Sequence, residues 1–315
     1  MDGSKVGRNW AIITKNDLPS LLAQRVACIR ANNEFNQDYM KQIFFNDNFI
    51  RYVDSVKTGT SIYHISKKQI ENFKFTAPSF EEQHKIAKFL SIIDNKIELL
   101  EKKYESYQDF KKYLMQQIFA QKLRFDFTDE LKEYKLKDLL TVKSSSISIN
   151  QLEENTGKYP LYGASGFLKN IDFYEMDRDY ISIVKDGSGV GNLSYHEKNS
   201  SIVNTSQYLL PKKNFDINFL YYLLQTLNLL KYVNGSSIPH IYFKDYCIEK
   251  VHVPTLVEQE KIGNLFVNTD KILDNINKNI KSTQEFKKGL LQQMFVYMRI
   301  FFLISVRKFV ASNTS

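Results

Sequence analysis

A chain of 315 residues has room for roughly two or three domains, and its 43% hydrophobic, 25% charged and 14% aromatic residues exclude a disordered polypeptide. Twelve Gly and six Pro exclude collagen-like or low-complexity material, and two cysteines, Cys28 and Cys247, cannot build a disulfide framework. The formal charge of +8 invites a polyanion partner, but residues 1–79 carry 11 basic against 7 acidic side chains and residues 132–253 carry 14 against 13, so no segment is a basic block that would hold phosphate on its own.

Met1 is followed by the polar Asp2-Gly3-Ser4-Lys5 rather than an apolar leader, and the run Ile300–Val306 is far short of the ~20 residues a membrane helix needs. The expectation is a soluble cytoplasmic protein without a membrane partner. A short helix is predicted near Asp38–Asn46. Ser79-Phe80-Glu81-Glu82 fits a capping box, with Pro78 just ahead, and no Gly or Pro interrupts residues 80–121, which predicts a helix of about 60 Å. Ile86, Ile93, Leu100, Tyr107 and Leu114 recur every seven residues, with Leu90, Ile97, Tyr104 and Ile118 interleaved, a heptad seam interrupted by Lys111. Residues from about 131 to 253 read as a compact mixed domain. Tyr180–Val184 and Ser201–Val203 are strand-like, and Asp216–Tyr232 is helical by the spacing of Phe219, Leu220, Leu223, Leu224 and Leu227. Thr255-Leu256-Val257-Glu258 after Pro254 announces a second long helix, with Ile262, Ile276 and Leu290 against Phe266, Leu273, Ile280 and Met294. Its seam is weakened by Thr269 and Thr283 and carries Lys287 in the place of Lys111.

The two halves are copies of one unit. Shifted by 176 residues, residues 59–119 fall on 235–295 without a gap, with Gly59, Ser61, His64, Pro78, Gln83 and Asp94 matching Gly235, Ser237, His240, Pro254, Gln259 and Asp270. At a shift of 184, Asp2-Gly3-Ser4-x-Val6-Gly7 repeats as Asp186-Gly187-Ser188-x-Val190-Gly191. Some 55 residues precede the second hexapeptide within its copy and only Met1 precedes the first, so the first copy reads as a partial domain. The layout is therefore a partial domain at 1–78, a long helix at 79–123, a full domain at 124–253, a second long helix at 254–296, and a tail at 297–315 without a counterpart.

A search for chemistry returns no catalytic set. Lys185–Gly191 follows neither GxGxxG nor GxxxxGK[ST] spacing and precedes a strand-like stretch, so a tight turn approached by another surface is the better reading. His64, His84, His196, His240 and His252 show no metal-ligand spacing. His64 and His240 recur in Gly-x-Ser-Ile-x-His-Ile and read as hydrogen-bonded structural residues.

The runs Pro-Ser-Phe-Glu-Glu-Gln-His-Lys-Ile-Ala at 78–87, its repeat Pro-Thr-Leu-Val-Glu-Gln-Glu-Lys-Ile-Gly at 254–263, Leu114-Met115-Gln116-Gln117-Ile118-Phe119, Tyr159–Gly166 and Phe219–Leu224 resemble the specificity subunit of bacterial type I restriction–modification enzymes. The resemblance covers residues 2–296. It implies an α+β fold in which mixed-sheet target-recognition domains, here with the first one partial, are joined by two long antiparallel helices forming a coiled-coil stalk. It implies a chain without its own active site or cofactor, reading double-stranded DNA. Methylation subunits, carrying S-adenosylmethionine for adenine methylation, bind its helical regions, and restriction subunits join the assembly. Turns around Tyr162, Gly163, Ser165, Lys185, Ser188, Gly189, Ser206, Gln207, Ser236 and Ser237 are the expected base readers. The alternative is a half-type chain that pairs with itself or with a methylation subunit as a scaffold, without directing it to DNA.

Overall fold

The computed structural model describes residues 2–152 and 157–311, with side chains as far as residue 295 except that of residue 151. In chain order the elements are α1 (Gln37–Phe44), α2 (Asp47–Val56), α3 (Lys67–Glu71), α4 (Phe80–Phe119), β1 (Lys132–Lys135), α5 (Leu136–Leu139) and β2 (Leu140–Ser144). They continue with β3 (Tyr159–Gly163), β4 (Gly166–Ile171), β5 (Tyr180–Val184), β6 (Leu193–His196), β7 (Ser201–Ile202), β8 (Ser206–Pro211), α6 (Ile217–Thr226), α7 (Phe243–Tyr246), β9 (Lys250–Val253) and α8 (Leu256–Ala311). They form two compact units: residues up to Tyr104 together with those from Ile276 onward, and residues Glu105–Asn275.

In the first unit, Asn36 caps α1 by accepting from the Tyr39 N–H, Asn46 caps α2, and Ser66 with Gln69 closes a capping box at α3. The apolar faces of α1 and α2 bury Val6, Met40, Phe44, Phe49, Val53 and Ile65 as one cluster. A second cluster joins Tyr39 and Ile43 of α1 to Ile86, Leu90 and Ile93 of α4 and Leu291 of α8, with Ile97, Leu290 and Met294 half-buried beside them. Gln284 donates to Glu101 at 3.3 Å and Lys287 to Asp94 at 2.5 Å, so α4 and α8 run antiparallel here. Leu100, Tyr104, Ile276 and Ile280 occupy the same seam, buried or half-buried.

The second unit holds every β-ladder among the described residues. β1 and β9 pair antiparallel and close the domain at its two ends, through Lys132 opposite Val253 and Lys135 opposite Lys250. A four-stranded antiparallel sheet has the order β2-β8-β5-β6, and a three-stranded one the order β4-β3-β7 with β3 and β7 parallel. The mixed-sheet expectation holds for this domain. Residues 2–78 carry isolated bridges and, among the described residues, no strand. Helix α6 and the apolar face of the four-stranded sheet share one core with Leu114 of α4 and Ile262 and Phe266 of α8. Ile118, Leu273 and Tyr107 complete the seam in this unit. Lys111 donates to Asp270 at 2.6 Å and Phe119 stacks on Phe266 at 5.9 Å, so the helices are antiparallel here too.

Four expectations change in the structure. The helix predicted over Asp216–Tyr232 ends at Thr226, whose hydroxyl bonds back to the Leu223 carbonyl. Leu227 is extended, and a separate 3₁₀ turn covers Leu229–Tyr232. The capping box at Thr255 does not form, because the carboxylate of Glu258 turns instead to Arg124, which holds both of its oxygens at 2.9 and 2.7 Å. Thr269 and Thr283 do not interrupt the seam: both are buried, each hydroxyl satisfied by the carbonyl four residues earlier. The tail beyond residue 296 continues α8 to Ala311, a stretch without Gly or Pro. Among the described residues, no helix is long and apolar enough to cross a membrane.

The sharpest packing constraint lies where α6 meets α8. A Cβ on Gly263 would stand 2.6 Å from the Asp216 carboxylate and 3.0 Å from the Phe219 nitrogen. In an open helix, Gly→Ala stabilises by about 1 kcal/mol. Here Gly263→Ala is expected to invert that sign and destabilise by about 1–3 kcal/mol through overpacking, read as a lowered urea midpoint.

Candidate nucleic-acid interface

The domain of residues 132–253 brings the four predicted turns to one place. The turn after β5 is anchored by three backbone bonds: Lys185 N–H to the Thr205 carbonyl, Gly187 N–H to Pro239, and Ile241 N–H to Lys185, at 2.9 Å each. The turn between β3 and β4 joins it, since a Cβ on Gly189 would stand 3.6 Å from Ala164, and Val203 N–H donates to the Tyr162 carbonyl at 3.0 Å. The glycine loop is thus a tight turn against which a second loop, residues 234–240, is laid.

The individual residues separate clearly. Ser165, Ser188, Ser236 and Ser237 are exposed at the tips. Gly163 and Gly189 shape their turns, half-buried. The Lys185 ammonium lies 3.5 Å from the carboxylate of Asp186, so its charge is already partly matched. Tyr162 is half-buried, its ring 4.3 Å from the His196 ring. Burial pushes the pKa of His196 down to about 4, so the imidazole is neutral at pH 7, bonded to Ser182 at 2.9 Å and tilted against Tyr180. Ser206 is a correction: only 2% exposed inside β8, it has no surface to offer a ligand. Gln207, also in β8, is half-buried; its Nε2 faces Ser144 at 3.4 Å and its carbonyl oxygen is buried without a partner.

Sequence reasoning missed the apolar part of this surface. Phe167 is 61% exposed beside Tyr162, and Ile238 is 68% exposed at the tip of the 234–240 loop. The Tyr242 ring lies 5.1 Å from that of His240, tilted against it, with the Lys244 ammonium 5.4 Å from the Tyr242 ring. The signal available for them was slight, since a single aromatic in an alternating strand reads as core and Ile238 falls within a repeat shared by both copies.

The recurrent histidines act mainly through their backbone. His240 bridges to both Asn234 and Asp186, and His64 bridges to both Thr58 and Asp2. The His64 ring also pairs with the Asp2 carboxylate, a bond that holds the carboxyl below its usual pKa. Among the described residues, no three His, Cys, Asp or Glu converge as a metal site.

The second domain is an α+β fold that presents a rim of loops, and the chain carries two copies of one long helix. Residues 9–106 and 128–284 match the type I restriction modification DNA specificity domain, and the chain belongs to that family. A type I specificity subunit of Mycoplasma pneumoniae is 27% identical over 198 residues, covering 60% of this chain and 63% of its own. The specificity subunit of the type I restriction enzyme MjaVIII of Methanocaldococcus jannaschii is 24% identical over 279 residues, covering 76% and 65%. The chain therefore spans about two thirds of the length of these relatives. The crystal structure of a type I restriction–modification S subunit from M. genitalium shares the fold, with a TM-score of 0.62 at 23% identity over 83% of this chain and 73% of that one.

Proposed function

We propose that this chain is the DNA sequence-specificity subunit of a type I restriction–modification assembly, itself non-catalytic, which reads one half of a bipartite target through its second domain. The convergence of the β3–β4, β5–β6 and 234–240 turns on one rim, in a chain of this family, carries the reading. Side chains at loop tips can enter a major groove, while the near-balanced charge of the domain leaves phosphate neutralisation to be shared with partners.

Those partners are methylation subunits carrying S-adenosylmethionine, with restriction subunits added to the complex in the cytoplasm. Docking on the helices is supported by apolar side chains left exposed there: Phe89, Ile92 and Leu99 of α4 in the first unit, and Phe110 and Tyr113 of α4 with Ile272 of α8 in the second. The two long helices, packed antiparallel within each unit, would serve as the coiled-coil stalk that spaces the readers.

Bound with its methylation subunit to a DNA array, the chain is expected to show a defined half-site preference. Ser188→Glu and Ser237→Glu, which add negative charge at the rim, should each weaken specific binding about tenfold, equivalent to about 1.4 kcal/mol. Unchanged affinity and preference in both variants would remove this rim as the reader. Lys185→Ala and Gln207→Ala are weaker tests, because Lys185 is paired and Gln207 half-buried.

A second reading is favoured by one observation: among the described residues the first domain holds no β-ladder. In that reading the chain is a half-type scaffold that pairs with itself or with a methylation subunit without full DNA targeting. Methylome sequencing of cells expressing it separates the two, a bipartite motif supporting the first and no new methylation the second.

A further inference from the structure

Two short stretches are nearly the same in both copies while their surroundings differ. Residues 59–65 and 235–241 agree at five of seven positions, against none of the twelve before them and two of the twelve after them. Residues 2–7 and 186–191 agree at five of six.

Each unit folds its two stretches together in the same way. Thr58 and His64 exchange backbone bonds at 3.0 and 2.8 Å, and Asn234 and His240 do so at 2.9 and 2.8 Å, which clips the ends of a tight loop. Gly59 and Gly235 enter it at φ of 98° and 88°, where a Cβ would collide with the carbonyl oxygen of Ile62 or Ile238. The Gly3 N–H donates to the Tyr63 carbonyl and the Gly187 N–H to that of Pro239, each at 2.9 Å, so the glycine turn lies against the loop.

Most of the shared residues have a structural task. The glycines supply positive φ, His64 and His240 close the loop and bridge to Asp2 and Asp186, and Ile65 and Ile241 are 2% and 0% exposed. Three shared positions have no such task. Ser4 and Ser188 are exposed on the turn, Ser61 and Ser237 are exposed on the loop, and Ile62 and Ile238 at its tip are 65% and 68% exposed. Common descent of the copies does not account for them, because the flanking residues have diverged.

The chemistry of the patch narrows what it meets. Its one shared charge is matched in each unit, Asp2 by Arg25 at 3.2 Å and Asp186 by Lys185 at 3.5 Å. What remains is two hydroxyls and one branched apolar side chain, a set that fits a phosphodiester oxygen and the deoxyribose beside it. Serine contacts of this kind position a protein on DNA without reading its sequence. A protein partner common to both copies would need a shared face of several hundred Å². Here the neighbouring residues differ, with Lys5 in the place of Gly189, Thr60 in that of Ser236 and Tyr63 in that of Pro239.

We propose that Ser188, Ser237 and Ile238, and their counterparts Ser4, Ser61 and Ile62, grip one sugar–phosphate of the DNA backbone in the same way in each unit. The hydroxyls donate to a phosphate oxygen and the isoleucine packs on the sugar. Base reading then falls to the unshared side chains of the rim, such as Ser165 and Phe167. The inference rests on the DNA reading proposed above and divides its labour between holding and reading.

The test uses the full chain in complex with its methylation subunit, titrated on a random-sequence duplex and on a DNA array. Ile238→Ala combined with Ser237→Ala is expected to weaken binding to both about tenfold while leaving the ranking of array sequences unchanged. Ser188→Ala, on the neighbouring turn, should cost about fivefold in the same uniform way and keeps the test independent of the loop. No charge is removed, so the dependence of affinity on salt should keep its wild-type slope. Ser236→Thr with Pro239→Tyr, which gives the second loop the sequence of the first, should preserve both affinity and ranking. A changed ranking in any of these variants would make the loop a reader and overturn the proposal. Unchanged affinity of the alanine variants for the random duplex would overturn it too, as would weaker binding traced by size-exclusion chromatography to loss of the methylation subunit. A wild-type complex without a preferred motif would sink the half-site reading alone, since the random duplex still decides the backbone grip.

Discussion

Replacing Phe266 with alanine is expected to destabilise the second unit by about 3–5 kcal/mol, the cost of removing a large aromatic ring from a closed core. Phe266 is fully buried on α8, stacked on Phe119 of α4 at 5.9 Å and tilted against Tyr222 of α6 at 5.0 Å. One ring thus joins both long helices to the domain helix, and neither neighbour can collapse into the space without leaving its own site. Hydrogen exchange should show the loss across α6 and residues 256–275 together. If exchange accelerated only within one turn of residue 266, the shared core would not be the cooperative element inferred here. Its repeat counterpart Leu90, also fully buried, should lose about 2–5 kcal/mol in the first unit on the same change.

The second large effect lies at Asp94. Its carboxylate accepts from Lys287 at 2.5 Å and Gln42 at 3.0 Å, with Lys41 at 3.3 Å. Asp94→Ala leaves the ammonium of Lys287, whose side chain is only 15% exposed, without its partner and the Gln42 amide without its acceptor, and should cost about 3 kcal/mol. Lys287→Met should cost less, because Asp94 retains Lys41 and Gln42 and the methionine fills the same volume. Burial acts to raise the Asp94 pKa, but the bond and charge of Lys287, with Gln42 and Lys41, outweigh it and the net shift is downward. A carboxylate lowered in the folded state stabilises fully above its unfolded pKa, and that contribution disappears as pH falls through the lowered folded value. The difference in urea midpoint between wild type and Asp94→Asn should therefore be constant near neutrality and close in acid. A gap independent of pH down to the acid limit would show that the charge of Asp94 contributes nothing.

Much of this arrangement could be read in the sequence, for reasons that differ from element to element. The seam residues from Ile86 to Ile118 and from Ile262 to Met294 are all buried or half-buried in the structure, because a seven-residue repeat leaves a helix only one apolar face to hide. Lys111 and Lys287 looked like interruptions of that face. Their partners Asp270 and Asp94 come from the other copy, more than 150 residues away, and no local pattern announces such a pairing. The two threonines misled for a related reason: composition counts a hydroxyl as polar, while a helix offers it a carbonyl one turn back. Strand existence was legible at Tyr180–Val184 from its β-branched run, but strand order was not, since β5 sits between β8 and β6 only through long-range pairing. At the candidate interface, turns were legible from Gly, Asn and Ser. Whether a serine beside a turn is exposed, like Ser188, or sealed in a strand, like Ser206, depends on which neighbour covers it.

Gln83 and Gln259 carry a consequence of their own. Each amide group of this pair donates to the proline carbonyl five residues before it, at 3.0 and 2.9 Å, and accepts from the backbone of the residue that caps α1 or α6. The coupling is made entirely to main chain, so it is blind to the side chains that the attached domain displays. Glutamate would lack the donor and leucine both groups, which makes glutamine the one long side chain suited to the post. A mounting of this kind lets the cargo diverge without renegotiating its attachment, as a bayonet fitting accepts any lens cut to the same flange.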